Sequence, residues 1–145
     1  MILLDANALI ALLRDEPAAG EVGELLREND CATPASCLSE VVDRLIRRAG
    51  VRPGDVVDRL EPLIDASLGV IPIETRMGWL AGELRGVHYA RASADLSLAD
   101  CILLAAAEPD DQLATADRDL AAAASKLEVS VIALPDSKGN RPELD

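Results

Sequence analysis

Four carboxylates, Asp5, Glu40, Asp100 and Asp117, stand where an apolar segment stops, where a helix starts or beside an apolar helix stripe. Carboxylates gathered without enough basic partners repel one another unless cations bind between them. If these four converge, they make a divalent-metal site. They are spread over most of the chain, so only a folded sheet could gather them. Hard oxygen donors without a His or Cys set favour Mg²⁺ or Mn²⁺ over zinc. One or two such ions would hold a phosphate, lower the pKa of a bound water and stabilise charge on attacking and leaving oxygens.

Each acid also has a local role open to it. Asp5 directly follows an apolar run and could cap the helix beginning near Asn7-Ala8-Leu9. Glu40 is spaced to pair with Arg44 at i, i+4, worth about 0.3–0.5 kcal/mol. Asp100 follows Ser97 at the spacing of a capping box. Asp117 comes two residues after a strand, where turn chemistry is common. Asp119 reads as a cap and Asp95 as a loop residue.

The elements that must position these acids alternate strand and helix. Short apolar strands are expected at 1–4, 31–33, 69–73, 112–115 and 129–134. Asn7 can cap a helix carrying Leu9, Ile10, Leu12 and Leu13, and Pro17 opens another with Val22, Leu25 and Leu26 on one face. Thr33-Pro34 reads as an N-cap followed by proline at the first helical position. The helix it starts buries Leu38, Val41, Val42 and Leu45 and ends at Gly50. Pro53 begins the next, with a kink at Pro62. A helix over 75–89 follows, then a polar connection over 90–96. Ser97 caps a helix presenting Leu98, Cys101, Ile102 and Ala105, stopped by Pro109, and Asp119 caps a short Ala-rich helix. This pattern is α/β with a parallel sheet covered on both sides. Residues 1–134 form one domain, and the polar tail 135–145 is expected to be loose.

Composition narrows the function. The 145 residues contain no Phe, one Tyr (Tyr89) and one Trp (Trp79), so the core is aliphatic and little aromatic surface is left for stacking bases. The formal charge of −12, from 26 acidic and 14 basic residues, weighs against non-specific nucleic-acid binding. Bound cations would offset part of it locally. Cys31, Cys37 and Cys101 lack zinc spacing, and an odd count fits a reducing cytosol. A single histidine, His88, cannot make a His-rich site. The longest uncharged apolar run, 101–107, is too short for a bilayer, and the first residues carry no basic leader. A cytoplasmic protein without a membrane span is expected.

Around the acids, Leu3-Leu4-Asp5-Ala6-Asn7-Ala8-Leu9, Leu38-Ser39-Glu40-Val41, Leu96-Ser97-Leu98-Ala99-Asp100 and Thr115-Ala116-Asp117-Arg118-Asp119 follow one another at ordinary spacings. In this order they resemble the successive motifs of PIN-domain nucleases, and most closely the compact bacterial VapC-type toxins of type II toxin–antitoxin systems. The resemblance covers nearly the whole chain. It implies a three-layer α/β/α fold with a five-stranded parallel sheet, and metal-binding acids at Asp5, Glu40, Asp100 and Asp117. Asn7 and Thr115 match accessory amide and hydroxyl positions, and Asp119 matches an acid found in some members. The implied reaction is Mg²⁺- or Mn²⁺-dependent endonucleolytic hydrolysis of RNA, leaving 5′-phosphate and 3′-hydroxyl ends. A homodimer is implied, as is a cognate antitoxin that places a basic side chain in the acidic pocket.

Positive charge for the substrate is concentrated in Arg44, Arg47, Arg48, Arg52 and Arg59. These are phosphate contacts or a solvated face paired with Asp43, Asp55 and Asp58. Arg91 and Arg118 lie near the acids in sequence and carry the same alternatives. Two other readings stand beside the toxin: a PIN-domain nuclease with a processing role, and a Mg²⁺-binding receiver in which a strand-end Asp is phosphorylated.

Overall fold

The computed structural model describes residues 1–89 and 94–144. Five parallel strands, β1 (Ile2–Leu4), β2 (Cys31–Pro34), β3 (Leu68–Ile71), β4 (Gln112–Thr115) and β5 (Ser130–Ala133), form one sheet in the order β3-β2-β1-β4-β5. The first strand lies at its centre, and β1 and β2 are buried throughout, while β3 and β5 are partly exposed edges. Continuous apolar runs with no alternation are what a strand covered on both faces requires. Among the described residues seven helices make the crossovers: α1 (Ala6–Leu13), α2 (Ala19–Glu28), α3 (Ala35–Ala49), α4 (Pro53–Ala66), α5 (Thr75–His88), α6 (Leu98–Ala106) and α7 (Arg118–Lys126). The sheet order sends the chain outward in both directions from the centre, and the right-handed rule for parallel crossovers then puts helices on both faces, the three-layer α/β/α arrangement.

The chain order reverses between β1 and β4. That reversal opens a crevice beyond the carboxyl ends of the two strands, the place where open α/β sheets bind ligands. The order also separates this sheet from the receiver arrangement, in which β1 lies between β2 and β3. Here β1 lies between β2 and β4.

Leu3, Leu4, Leu9, Val22, Val41, Val56, Leu103, Leu113 and Leu120 are among the fully buried side chains, and no aromatic ring is among the largest of them. Gly50 ends α3 in the left-handed region at φ 64°, where a side chain would be strained. Gly69 answers a different need. A Cβ there would stand 3.3 Å from the Ala32 Cβ, so the glycine lets β3 close onto β2.

Several helix starts differ from the sequence expectation. α1 is capped by Asp5, whose side chain accepts from the Ala8 amide, and Asn7 lies inside the helix. α2 begins at Ala19 rather than at Pro17. Thr33 does not cap α3; β2 runs on to Pro34, and the Thr33 hydroxyl instead donates to the Leu4 carbonyl at 2.8 Å. Asp117 caps α7 and Asp119 falls in its first turn. At α1 and α7 the acid nearest the strand end takes the cap, whereas Ala18 before α2 and Pro34 before α3 make no side-chain bond. α6 ends at Ala106, before Pro109. Among the described residues no helix is long and apolar enough to cross a membrane.

Candidate active site

Three of the four acids stand at helix N-termini. Asp5 follows β1 and caps α1, Asp117 follows β4 and caps α7 through bonds from the Asp119 and Leu120 amides, and Asp100 lies in the first turn of α6. Free amides and the positive end of the helix dipole favour a carboxylate at each place. β1 and β4 are paired neighbours, so Asp5 and Thr115 face each other across the sheet, and the Thr115 hydroxyl donates to Asp5 Oδ2 at 2.6 Å. Asp5 Oδ1 accepts from the Ala8 amide at 2.7 Å. The Thr115 hydroxyl also accepts from the Asp117 amide at 2.9 Å, which ties the first and last acids into one unit.

The sheet brings in α3 and α6 from one side. Ser97 and Asp100 form the expected capping box, with Ser97 N donating to Asp100 Oδ2 at 2.8 Å. The Ser97 hydroxyl also reaches Glu40 Oε2 at 3.4 Å, linking α6 to α3. Glu40 is flanked by Arg44, whose Nη1 lies 3.6 Å from Glu40 Oε1 and donates to Asn7 Oδ1 at 2.6 Å. Both the local pair and the gathering of acids therefore exist together, and Asn7 links α1 to α3.

Asp5 is 1 % exposed, and burial pushes its carboxyl up to about 7 against the bonds from Thr115 and Ala8, with repulsion from Asp100 and Asp117 adding to the rise. Asp100 rises to about 6, again from burial first, opposed by Ser97 and reinforced by Glu40 and Asp117. Cys37 is buried beneath the same group, and burial together with the charges of Asp5, Asp100 and Glu40 lifts its thiol to about 12. Hydrogen bonds thus join the acids in two pairs, Asp5 with Asp117 through Thr115 and Glu40 with Asp100 through Ser97, and each pair feels the charge of the other.

Among the described residues no three His, Cys, Asp or Glu side chains stand in a ready-made ion-binding arrangement. Asp5, Asp100 and Asp117 each accept a backbone N–H at a helix N-terminus. The donor chemistry nevertheless fits a hard divalent cation. Two of the acids are driven toward the protonated form, and a cation would remove that penalty.

The remaining candidates separate clearly. Asp119 accepts from the Asp95 amide at 2.9 Å and so holds the segment leading into α6. Arg47 forms a two-bond pair with Asp43 and Arg52 one with Asp55, both exposed. Arg44 and Arg48 instead line a cleft of about 340 Å³ next to the acids, together with Asn7, Asp117 and Arg14. Arg91 lies outside the described residues, as do the other residues of 90–93. Sequence reasoning missed Arg14, Cys37 and the second bond of Ser97. Only Cys37 left a signal, one helical turn before Glu40 on the apolar stripe of α3.

The solved structures that this chain resembles include VapC20 of Mycobacterium tuberculosis, described as a sarcin–ricin-loop-cleaving toxin. The two are 21 % identical with a TM-score of 0.67 over 85 % of this chain and 95 % of that one. FitAcB of Neisseria gonorrhoeae is 25 % identical with a TM-score of 0.62, covering 91 % and 96 %. VapBC2 of Rickettsia felis, solved bound to a DNA fragment from its promoter, is 15 % identical with a TM-score of 0.60, covering 91 % and 98 %. No curated protein matches the chain. The family of PIN domains matches residues 2–126. With that match over most of its length, and with the sheet order and acid placement described above, the chain belongs to the PIN-domain family.

Proposed function

We propose that this protein is a Mg²⁺- or Mn²⁺-dependent endoribonuclease and the toxin of a toxin–antitoxin pair. The observation that carries the reading is Asp5: a carboxylate 1 % exposed, at the sheet's reversal point, raised by burial and by two neighbouring acids. A buried acid with acidic neighbours is costly to a fold and useful to a cation site. Asp5 and Asp100 would be the main ligands, with Glu40 binding the ion or orienting water and Asp117 completing the set. A bound ion would supply Lewis acidity toward the phosphate and a water of lowered pKa. The chain's own residues do the rest. Thr115 fixes the Asp5 carboxylate, Ser97 fixes Asp100 and steadies Glu40, and Asn7 holds Arg44 beside the acids. Hydrolysis in this scheme leaves 5′-phosphate and 3′-hydroxyl ends.

The toxin role is supported by the likeness to VapC20, a toxin, and to VapBC assemblies. On that reading a cognate antitoxin inserts a basic side chain among the acids, since an Arg can pair with carboxylates in place of a metal. The active form is a cytoplasmic homodimer, and residues 1–134 are its nuclease domain. Total RNA incubated with Mn²⁺ or Mg²⁺ tests the reaction. The wild-type chain should cut it, and Asp5→Asn should not cut while melting cooperatively. Undiminished cleavage by that variant would sink the assignment.

A further inference from the structure

The cleft of about 340 Å³ beside the acids is built differently from the acidic site itself. Its walls are one side of α1, one face of α3, the turn before α7 and the segment after β5, and its lining includes Ala11, Leu45 and Pro135. Glu40, Arg44 and Arg48 are spaced four residues apart and share one face of α3, so the stripe leads from the acids out along the cleft. Eight residues of helix rise put Arg48 about 12 Å from Glu40 along that axis. This is the reach of a neighbouring nucleotide rather than of the scissile phosphate.

The cleft holds three arginines and three acids, yet their commitments differ. Arg44 is held by Asn7 and Glu40. Asp136 is spent on its own turn, accepting from the Lys138 and Asn140 amides. Glu16 pairs only loosely with Arg14, at 3.5 Å and with Arg14 half exposed. Arg48 has no ion pair among the described residues. The positive charge free to meet a ligand thus lies at the outer end, on Arg48, with Arg14 half exposed beside Glu16. An anion could meet Arg48 there without displacing an ion pair among the described residues. The volume suits one small unit such as a nucleotide, not a duplex.

We propose that this cleft is a subsite for a nucleotide flanking the cut in single-stranded RNA. Arg48 and Arg14 contact its phosphate, and its sugar or base lies on the aliphatic lining by Pro135. The proposal rests on the ribonuclease reading for its ligand class. Phosphate contacts from two arginines would add affinity and register without reading sequence.

The test uses the full chain with Arg14→Ala, Arg48→Ala and the double variant, each checked by thermal melting. Binding of a fluorescein-labelled single-stranded RNA octamer is followed by anisotropy on the Asp5→Asn background. Cleavage of the octamer and of a dinucleotide is followed with Mn²⁺ on the active background. The double variant should weaken octamer binding about tenfold. It should also reduce the salt slope by about 0.7 for each arginine lost. Its KM should rise more for the octamer than for the dinucleotide, because the dinucleotide has no phosphate beyond the scissile one for Arg48 and Arg14 to contact. Unchanged octamer binding and salt slope would overturn the subsite, even with the ribonuclease reading intact. If the wild-type chain cleaves no RNA yet the variants lose octamer affinity and salt slope, the subsite stands and the hydrolytic reading falls.

Discussion

Asp5 both ends a strand and starts a helix, and it does so with its two oxygens committed to different neighbours: Oδ1 to Ala8, Oδ2 to Thr115. The Thr115 bond lowers the cost of its charge, so Thr115→Val should leave a fold but weaken divalent-ion binding at neutral pH by about tenfold, read by calorimetry. Cys37 gives a contrasting expectation. Its thiol is buried and pushed to about 12, and Cys31 and Cys101 are buried and raised as well. Native protein should therefore resist alkylation by iodoacetamide, and labelling should appear only on unfolding; rapid labelling of the native state would contradict the packing. The acids were legible in the sequence because their residue types are unambiguous and their motifs ordered. Arg14 was not, since its part in the cleft depends on the segment after β5, more than a hundred residues away.

Among the elements, the paired strands were the most readable, because a short aliphatic run without polar alternation has to be covered on both faces. The expected strand 112–115 coincides with β4 at both ends. Helix starts were the least readable. Thr33-Pro34 carries the usual cap-and-proline signature, but the Thr33 hydroxyl is taken by Leu4 across the sheet, a bond that only tertiary structure creates. The same competition decided between Asp117 and Asp119. Ser97 is the case where the local signature survived and gained a second role. Removing it as Ser97→Ala takes away the cap and the Glu40 contact, so stability should fall by about 1 kcal/mol. RNA cleavage should fall too, through misplaced Asp100 and Glu40, while an uncharged cap replacement by Ser97→Asn should recover stability without full activity. Urea melts and RNA cleavage rates separate the two effects. At the other end of the fold, Arg141 joins the segment after β5 to Glu21 of α2 through a two-bond ion pair, and Pro142 beside it is buried. Arg141→Ala should speed proteolytic nicking within 135–144 and leave the rest of the chain protected.

The molecule as a whole stores its electrostatic cost in one place. Asp5 and Asp100 have folded-state values near 7 and 6, above the ordinary 3.8 of an unfolded Asp. Between these limits the folded chain holds protons that the unfolded chain releases, so metal-free stability falls as pH rises from about 4 to about 7. Below that window Glu21 and Asp136, whose values are lowered by their Arg141 and backbone partners, act in the opposite sense. Metal-free melts should accordingly be higher at pH 5 than at pH 8, and Mg²⁺ or Mn²⁺ should raise the melting temperature at pH 8 far more than at pH 5. Equal stabilisation at both values would remove the link between the acids and the ion.

The aliphatic core has a last, practical consequence. Trp79 is 71 % exposed on α5, the chain has no other Trp, and none of the largest buried side chains is aromatic. Intrinsic fluorescence therefore watches the outer surface of α5 and is nearly blind to the sheet. A flat emission signal through a melt would coexist with complete loss of the strands, which far-ultraviolet dichroism would record. The same blindness is useful in another setting: a shift in Trp79 emission on mixing with a second protein reports cover over α5, with no chemical label and almost no background from the interior.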